Sequence, residues 1–200
     1  MTESARPIIR EATPADAAAC AAIYAPYVSD TPASFEEVPP EAAEMAGRIK
    51  NSICWLVAEI DAEVVGYAYG ARHRERSAYR WAADVTVYVD ACAQRRGLGR
   101  ALYAELFPRL RARGIWTLCA GIAEPNEAST ALHRAVGFQL VGTYERIGFK
   151  AGSWRDVTWL QLHLREPSGI AEWHPSHPPV QPHLLTTFPP LRTLRIVVAW

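Results

Sequence analysis

Lysine is almost missing from this 200-residue sequence: Lys50 and Lys150 are the only two among 21 basic residues, and arginine supplies the rest. A surplus of either sign is missing as well. The 21 acidic residues cancel the basic ones to a formal net charge of +0, so no global field draws the chain to nucleic acid or to a membrane surface, and no basic–aromatic platform for nucleic acid is evident. Cysteine is sparse. Cys20, Cys54, Cys92 and Cys119 show no C-x-x-C spacing and no clustering with histidine along the chain. Neither a disulfide framework nor a metal site is expected, and the expectation is free thiols in a reducing compartment, by default the cytoplasm. No apolar run reaches the roughly 18 residues that a membrane span needs. The N-terminus has no apolar stretch behind a basic start, so no leader is expected.

What is present suits one globular domain. Half of the residues are hydrophobic and 21% are charged, enough for a sizeable core. Residues 6–12 read as a strand and 13–28 as a helix, with Thr13 as N-cap, Pro14 in its first turn and Asp16 at the positive end of its dipole. A turn-rich loop with an unusual Phe35 follows, then a helix over 40–51. Two strands over 54–60 and 63–73 flank Asp61-Ala62 in a hairpin pattern. Residues 84–89, DVTVYV, form a β-branched strand. A helix over 97–114 contains Pro108 and ends on Gly114. A strand (115–122), a helix (126–136) and two final strands complete a β-α-α-β-β-β-α-β-α-β-β order, a mixed α/β sheet. Beyond Leu164 the sequence turns proline-rich. Residues 1–166 are expected to form the domain and 167–200 an irregular tail whose His174, His177 and His183 carry no metal-site pattern.

The most informative stretch is Gln94–Arg100, QRRGLGR, between a strand and a helix. A helix N-terminus offers unpaired backbone N–H groups and partial positive charge. Gly97 and Gly99 leave the backbone bare, and Arg95, Arg96 and Arg100 surround it with charge. The chemistry points to phosphate or pyrophosphate. It is not a Walker loop, since no G-K-[ST] follows, nor a dinucleotide fingerprint, since position 102 is leucine. A plain glycine turn before a helix remains the alternative for the heptapeptide alone.

The Q-x-x-G-x-G pattern resembles the acetyl-coenzyme A loop of the GNAT acetyltransferase superfamily. Asn126–Phe138 resembles its companion motif. SFE at 34–36, RERSAYRWAADVTVYV at 74–89 and GFKAGSWRDVTWLQL at 148–162 are similar to the phosphinothricin/methionine sulfoximine N-acetyltransferase family. The resemblance spans roughly residues 6–164. It implies a GNAT fold, with a mostly antiparallel sheet splayed at the cofactor site and flanked by helices. It also implies acetyl transfer from acetyl-CoA to the amino group of a small amino-acid-like acceptor.

Carried over residue by residue, the resemblance puts the pantetheine arm on Thr86, Val87 and Tyr88 and the pyrophosphate on Gln94, Arg95, Arg96, Gly97, Leu98, Gly99 and Arg100. Asn126 and Ser129 would face the arm, although Asn126 equally reads as an N-cap. Asp84 would be the general base. The family generally has glutamate there, one methylene longer, so a bridging water is implied; the alternative is an ion pair with Arg80 or Arg155. His133 would be a catalytic acid, base or hydrogen-bond donor, or a structural helix histidine. Phe35, Arg74, Arg76, Ser77 and Tyr79 would hold the acceptor, since arginine forks suit anionic oxygens. Lys150 and Trp154 would reach the same pocket or a dimer partner. Competing readings are acetylation of a protein N-terminus, polyamine or aminoglycoside, and an acyl-CoA sensor without catalysis. By analogy alone, a homodimer paired through the last strands is expected.

Overall fold

The computed structural model describes residues 7–165. The elements run β1 (Ile8–Glu11), α1 (Ala17–Ser29), α2 (Ala42–Asn51), β2 (Cys54–Ile60), β3 (Glu63–Arg72), β4 (Ala82–Val89), α3 (Leu98–Ala112), β5 (Thr117–Ala123), α4 (Glu127–Ala135), β6 (Gln139–Lys150) and β7 (Ser153–His163). This is the expected order. One 3-10 turn, Ser77–Tyr79, leads into β4. The strands form one seven-stranded sheet in the order β1-β2-β3-β4-β5-β7-β6. Neighbours are antiparallel except β4 and β5. The expected tail, with its histidines, lies outside the described residues.

Helix α3 covers one face. Leu98, Leu102, Leu106 and Leu110 recur every fourth residue, and all are buried. That spacing lays them in one stripe against Leu56, Ala68, Ala83, Val85, Leu118 and Leu160. Each buried leucine contributes about 1.5–3 kcal/mol. The helix ends at Gly114, whose φ of +86° lets the chain turn. The Ile115 N–H then reaches Leu110 O at 3.0 Å and the Gly114 N–H reaches Arg111 O at 3.1 Å, closing the helix end.

Helices α1 and α2 cover the other face through Cys20, Tyr24, Val28, Met45 and Ile49, packed on Trp55, Val57 and Tyr67. The first turn differs from the expectation. Pro14–Asp16 is 3-10, and Asp16 serves more than the helix dipole. Its carboxylate accepts from Arg10 at 2.7 and 2.8 Å and from the Thr13 N–H at 2.7 Å, which ties β1 to α1.

The feature that positions the site is a seam. The parallel β4–β5 ladder lasts for only three pairs, Ala82–Thr117, Ala83–Leu118 and Asp84–Cys119. Both strands continue, β4 to Val89 and β5 to Ala123. Beyond Asp84 they part and leave two strand edges facing a gap.

Candidate active site

A cleft of about 610 Å³ fills that gap. Its walls are Val85–Val89, Ala120–Ala123, the loop before α3 and the first turns of α4. Of the expected donor-side residues, Thr86, Val87, Tyr88, Gln94, Arg95, Gly97, Leu98, Gly99, Arg100, Asn126 and Ser129 line it, together with His133; Arg96 does not.

The loop is built for exposed backbone. Gly97 is the N-cap of α3 at φ +78°, and Arg95 is also left-handed at φ +59°. Left-handed residues in such a loop turn N–H groups toward one concavity, which suits an anion. The two glycines differ in purpose. A side chain at Gly97 would meet nothing within 4 Å, whereas a Cβ at Gly99 would lie 2.9 Å from the Leu132 side chain of α4. Gly99 therefore borders α4 as well as the cleft. Gln94 uses its amide on the protein as well, donating to the Tyr27 hydroxyl at 3.1 Å. Tyr27 in turn donates to Val89 O at 2.6 Å and secures the end of β4.

On α4, Asn126 is an N-cap: its side chain accepts from the Ser129 N–H at 3.1 Å. It also lines the cleft, so the cap role is seen and the expected ligand role stays open to it. His133 is buried. Its Nδ1–H donates to Ser129 O at 2.8 Å, so its Nε2 accepts from the Tyr103 hydroxyl at 2.9 Å. Burial lowers its pKa and keeps the ring neutral, with both nitrogens engaged by protein.

Asp84 lies at the last paired position before the strands part. Its partner is neither Arg80 nor Arg155. Arg80 bonds Ser77 O and stacks on Trp81 at 4.8 Å, and Arg155 bonds Lys150 O. Instead, Asp84 Oδ1 faces His73 Nδ1 at 2.6 Å. Burial raises the Asp84 carboxyl above its ordinary range, and the His73 hydrogen bond opposes this. The His73 ring stands edge-on to Tyr79, at 5.8 Å, and to Trp159, at 6.1 Å. Trp159 covers Gly121 of the cleft wall. The His73–Asp84 pair therefore sits where the seam opens, between the aromatic group of the 77–79 turn and β7.

The expected acceptor residues come from two places. Tyr79 is exposed beside His73, and the Arg74 guanidinium donates to His73 O at 2.9 Å. The Phe35 ring lies against Gly148 of β6, where any side chain would run into it. Lys150 bonds Glu36 O. Glu36 is held by Arg48 at 2.7 and 2.8 Å and by the Tyr24 hydroxyl at 3.0 Å, so the 34–36 loop is braced between α1, α2 and β6.

The acetyltransferase (GNAT) domain family matches residues 9–159. The chain belongs to the GNAT acetyltransferases. A phosphinothricin N-acetyltransferase of Streptomyces viridochromogenes is 37% identical over 84% of this chain and 94% of its own length. An L-methionine sulfoximine/L-methionine sulfone acetyltransferase of Pseudomonas aeruginosa is 36% identical over 78% of this chain and 94% of its own. The crystal structure of a GNAT superfamily phosphinothricin acetyltransferase from Sinorhizobium meliloti, in complex with acetyl-CoA, superposes with a TM-score of 0.77. It is 35% identical and covers 83% of this chain and 95% of its own.

For a GNAT enzyme, two residues here escaped the sequence reading. His73 opens the arginine-rich HRERSAYRW stretch, in which only the arginines, Ser77 and Tyr79 drew notice. Strand register was the available signal: Ala71 pairs with Asp84, so the residue two further on shares its face. Cys119 pairs with Asp84 from the other side. The His73, Asp84 and Cys119 donor atoms all lie within 4.8 Å of one another. Chain spacing had suggested no Cys/His cluster; adjacent strands supply one.

Proposed function

We propose that this GNAT enzyme moves acetyl from acetyl-CoA to the amino group of a small amino-acid-like acceptor of the phosphinothricin or methionine sulfoximine kind. The observation that carries this reading is the seam. It runs from a glycine loop suited to an anion straight to a paired carboxylate and imidazole. The cleft fits coenzyme A. Its left-handed loop suits the pyrophosphate, and its two unpaired strand edges suit the amides of the pantetheine arm. Acetyl-CoA supplies the acetyl group as a thioester.

The chain's residues supply the rest. An amino acid is mostly ammonium at neutral pH, and the ammonium must lose a proton before it can attack. Asp84 and His73 act as one base. Asp84 accepts the His73 Nδ1–H, which leaves Nε2 to take the proton. An imidazole has basicity near neutrality, and it extends a carboxylate that is one methylene shorter than the family's usual glutamate. Arg74, Arg76, Ser77 and Tyr79 hold the acceptor's anionic group, with Phe35 as a lid from the early loop. His133, buried and neutral, keeps Tyr103 and the first turn of α4 in place along the cleft.

β6 is an edge strand whose Leu140, Val141, Tyr144, Ile147 and Phe149 are exposed, with Trp154 beside them. Long apolar edges of this kind call for a cover, and we take the cover to be a second copy. The four free thiols suit the cytoplasm. The test is product formation from acetyl-CoA with a panel of amines. Phosphinothricin and methionine sulfoximine should be among the best acceptors, and faster turnover of spermidine or an aminoglycoside would refute the reading.

A further inference from the structure

We propose that His73, Asp84 and Cys119 form a binding site for a thiophilic divalent cation, zinc being the best fit, and that its occupation shuts down acetyl transfer. The inhibitory half rests on the reading of Asp84 and His73 as the base; the binding half stands on geometry alone.

The sheet itself makes the cluster. Ala71, Asp84 and Cys119 sit side by side on β3, β4 and β5, so alternation puts Asp84 and Cys119 on one face, and His73 joins it two residues past Ala71. The His73 N–H still reaches Ala82 O at 3.4 Å, which carries the strand pairing far enough to hold that ring over Asp84. All three residues are half-buried and their donor atoms lie within 4.8 Å of one another. Around zinc, with bonds of about 2.0–2.3 Å, tetrahedral neighbours stand roughly 3.3–3.8 Å apart. The His73–Asp84 contact, 2.6 Å, would open by about an ångström to reach that spacing, and the cysteine would close by a similar amount. Side-chain rotation suffices for both.

The donor set chooses the cation. One imidazole nitrogen, one thiolate sulfur and one carboxylate oxygen suit zinc or cobalt and disfavour magnesium or calcium, which want oxygen alone. Three protein ligands leave a fourth position for water. Carboxylate and thiolate together balance the charge of a divalent ion. On binding, the Cys119 thiol gives its proton to solvent, the His73 proton moves through solvent from Nδ1 to Nε2 so that Nδ1 can bind, the His73–Asp84 hydrogen bond opens, and a sulfur–metal bond forms with no change of oxidation state. While the cation is bound, the His73–Asp84 pair is engaged by it and the base is idle.

The test uses the full chain, stripped of metal by a chelator. Cobalt(II) is titrated first. The proposal requires one equivalent to bind, with the charge-transfer absorption that marks a cobalt–thiolate bond. Zinc should displace it. Loss of even an outer partner costs about 10–100-fold in metal affinity, so Cys119→Ala should cost at least that and should erase the thiolate band. A d–d spectrum without the thiolate band, or unchanged affinity in Cys119→Ala, overturns the site. Acetylated product is then measured by mass spectrometry, because free coenzyme A thiol itself binds zinc. Zinc should inhibit the wild type, a chelator should restore the rate, and Cys119→Ala should resist zinc relative to its own metal-free rate. Zinc bound through Cys119 with the rate intact overturns the inhibitory half. A metal-free enzyme with no transfer to any amine counts against the proposed function instead, and the cobalt spectrum decides the site regardless.

Discussion

If Asp84 and His73 are one base, removing either should cost about as much as removing both. The hydrogen bond joining them is 2.6 Å long and half-buried, and bonds involving a charged group contribute about 1.5–3 kcal/mol. At about 1.4 kcal/mol per decade, His73→Phe should slow turnover at pH 7 by roughly 10–150-fold. The upper end of that loss meets the lower end of the roughly 10²–10⁴-fold range of general-base catalysis. Asp84→Asn should fall at least as far, since an amide can neither hold the imidazole in the needed tautomer nor stabilise its charge. The double variant should be no slower than the slower single, because residues that act as a unit do not add. Asp84→Glu placed in the His73→Phe background should recover much of the loss, because the longer acid reaches the amine unaided. The losses should shrink at high pH, where the free amine is abundant. The assay is acetylated product against pH for wild type, both singles and both doubles. Losses that multiply across the double, or a His73→Phe enzyme with wild-type turnover at every pH, would refute the composite base.

Gly99→Val should destabilise the fold by about 1–3 kcal/mol through overpacking against Leu132, and Leu132→Ala in the same chain should return part of that in a thermal melt. Asp16 is held down to about 2 by Arg10. A depressed carboxyl stabilises the fold above its unfolded pKa of about 3.9 and stops doing so as pH falls toward the folded value. Asp16→Asn should therefore cost roughly 2–3 kcal/mol at pH 7 in urea unfolding, and the gap from wild type should close between about pH 4 and pH 2. Tyr103→Phe leaves His133 Nε2 buried without its donor and should cost about 1–3 kcal/mol in the same measurement. Arg76→Ala should raise KM for phosphinothricin well above any change in KM for acetyl-CoA, read by steady-state kinetics.

The fold was legible because its signals are local. The fourfold leucine spacing of α3, the Asp61-Ala62 hairpin and the Gly97 loop each announce an element within a few residues, and those elements in sequence limit the topology. The donor side of the site was legible for the same reason, since a single loop and a single helix supply most of it. The acceptor side is a matter of register. Asp84 reads as a lone acid until β3 and β5 lie beside it, and only then do His73 and Cys119 become its neighbours. Gly99 carries a related ambiguity: a glycine spared for a ligand and one spared for a neighbouring leucine look identical in the chain. The structural and catalytic readings of His133 could not be weighed in the chain because its partner Tyr103 lies 30 residues away on another helix.

The short β4–β5 ladder has a consequence for the life of the protein as well as for its chemistry. Along this boundary, three residue pairs join four strands to the other three, so a molecule that bonds both edges acts as a missing rung. Ligand at a hundred times its dissociation constant adds about 2.7 kcal/mol to the folded state, a large share of a margin of about 5–15 kcal/mol. With acetyl-CoA removed that rung is withdrawn, so the share of opened chains should rise and proteolysis in vitro should quicken.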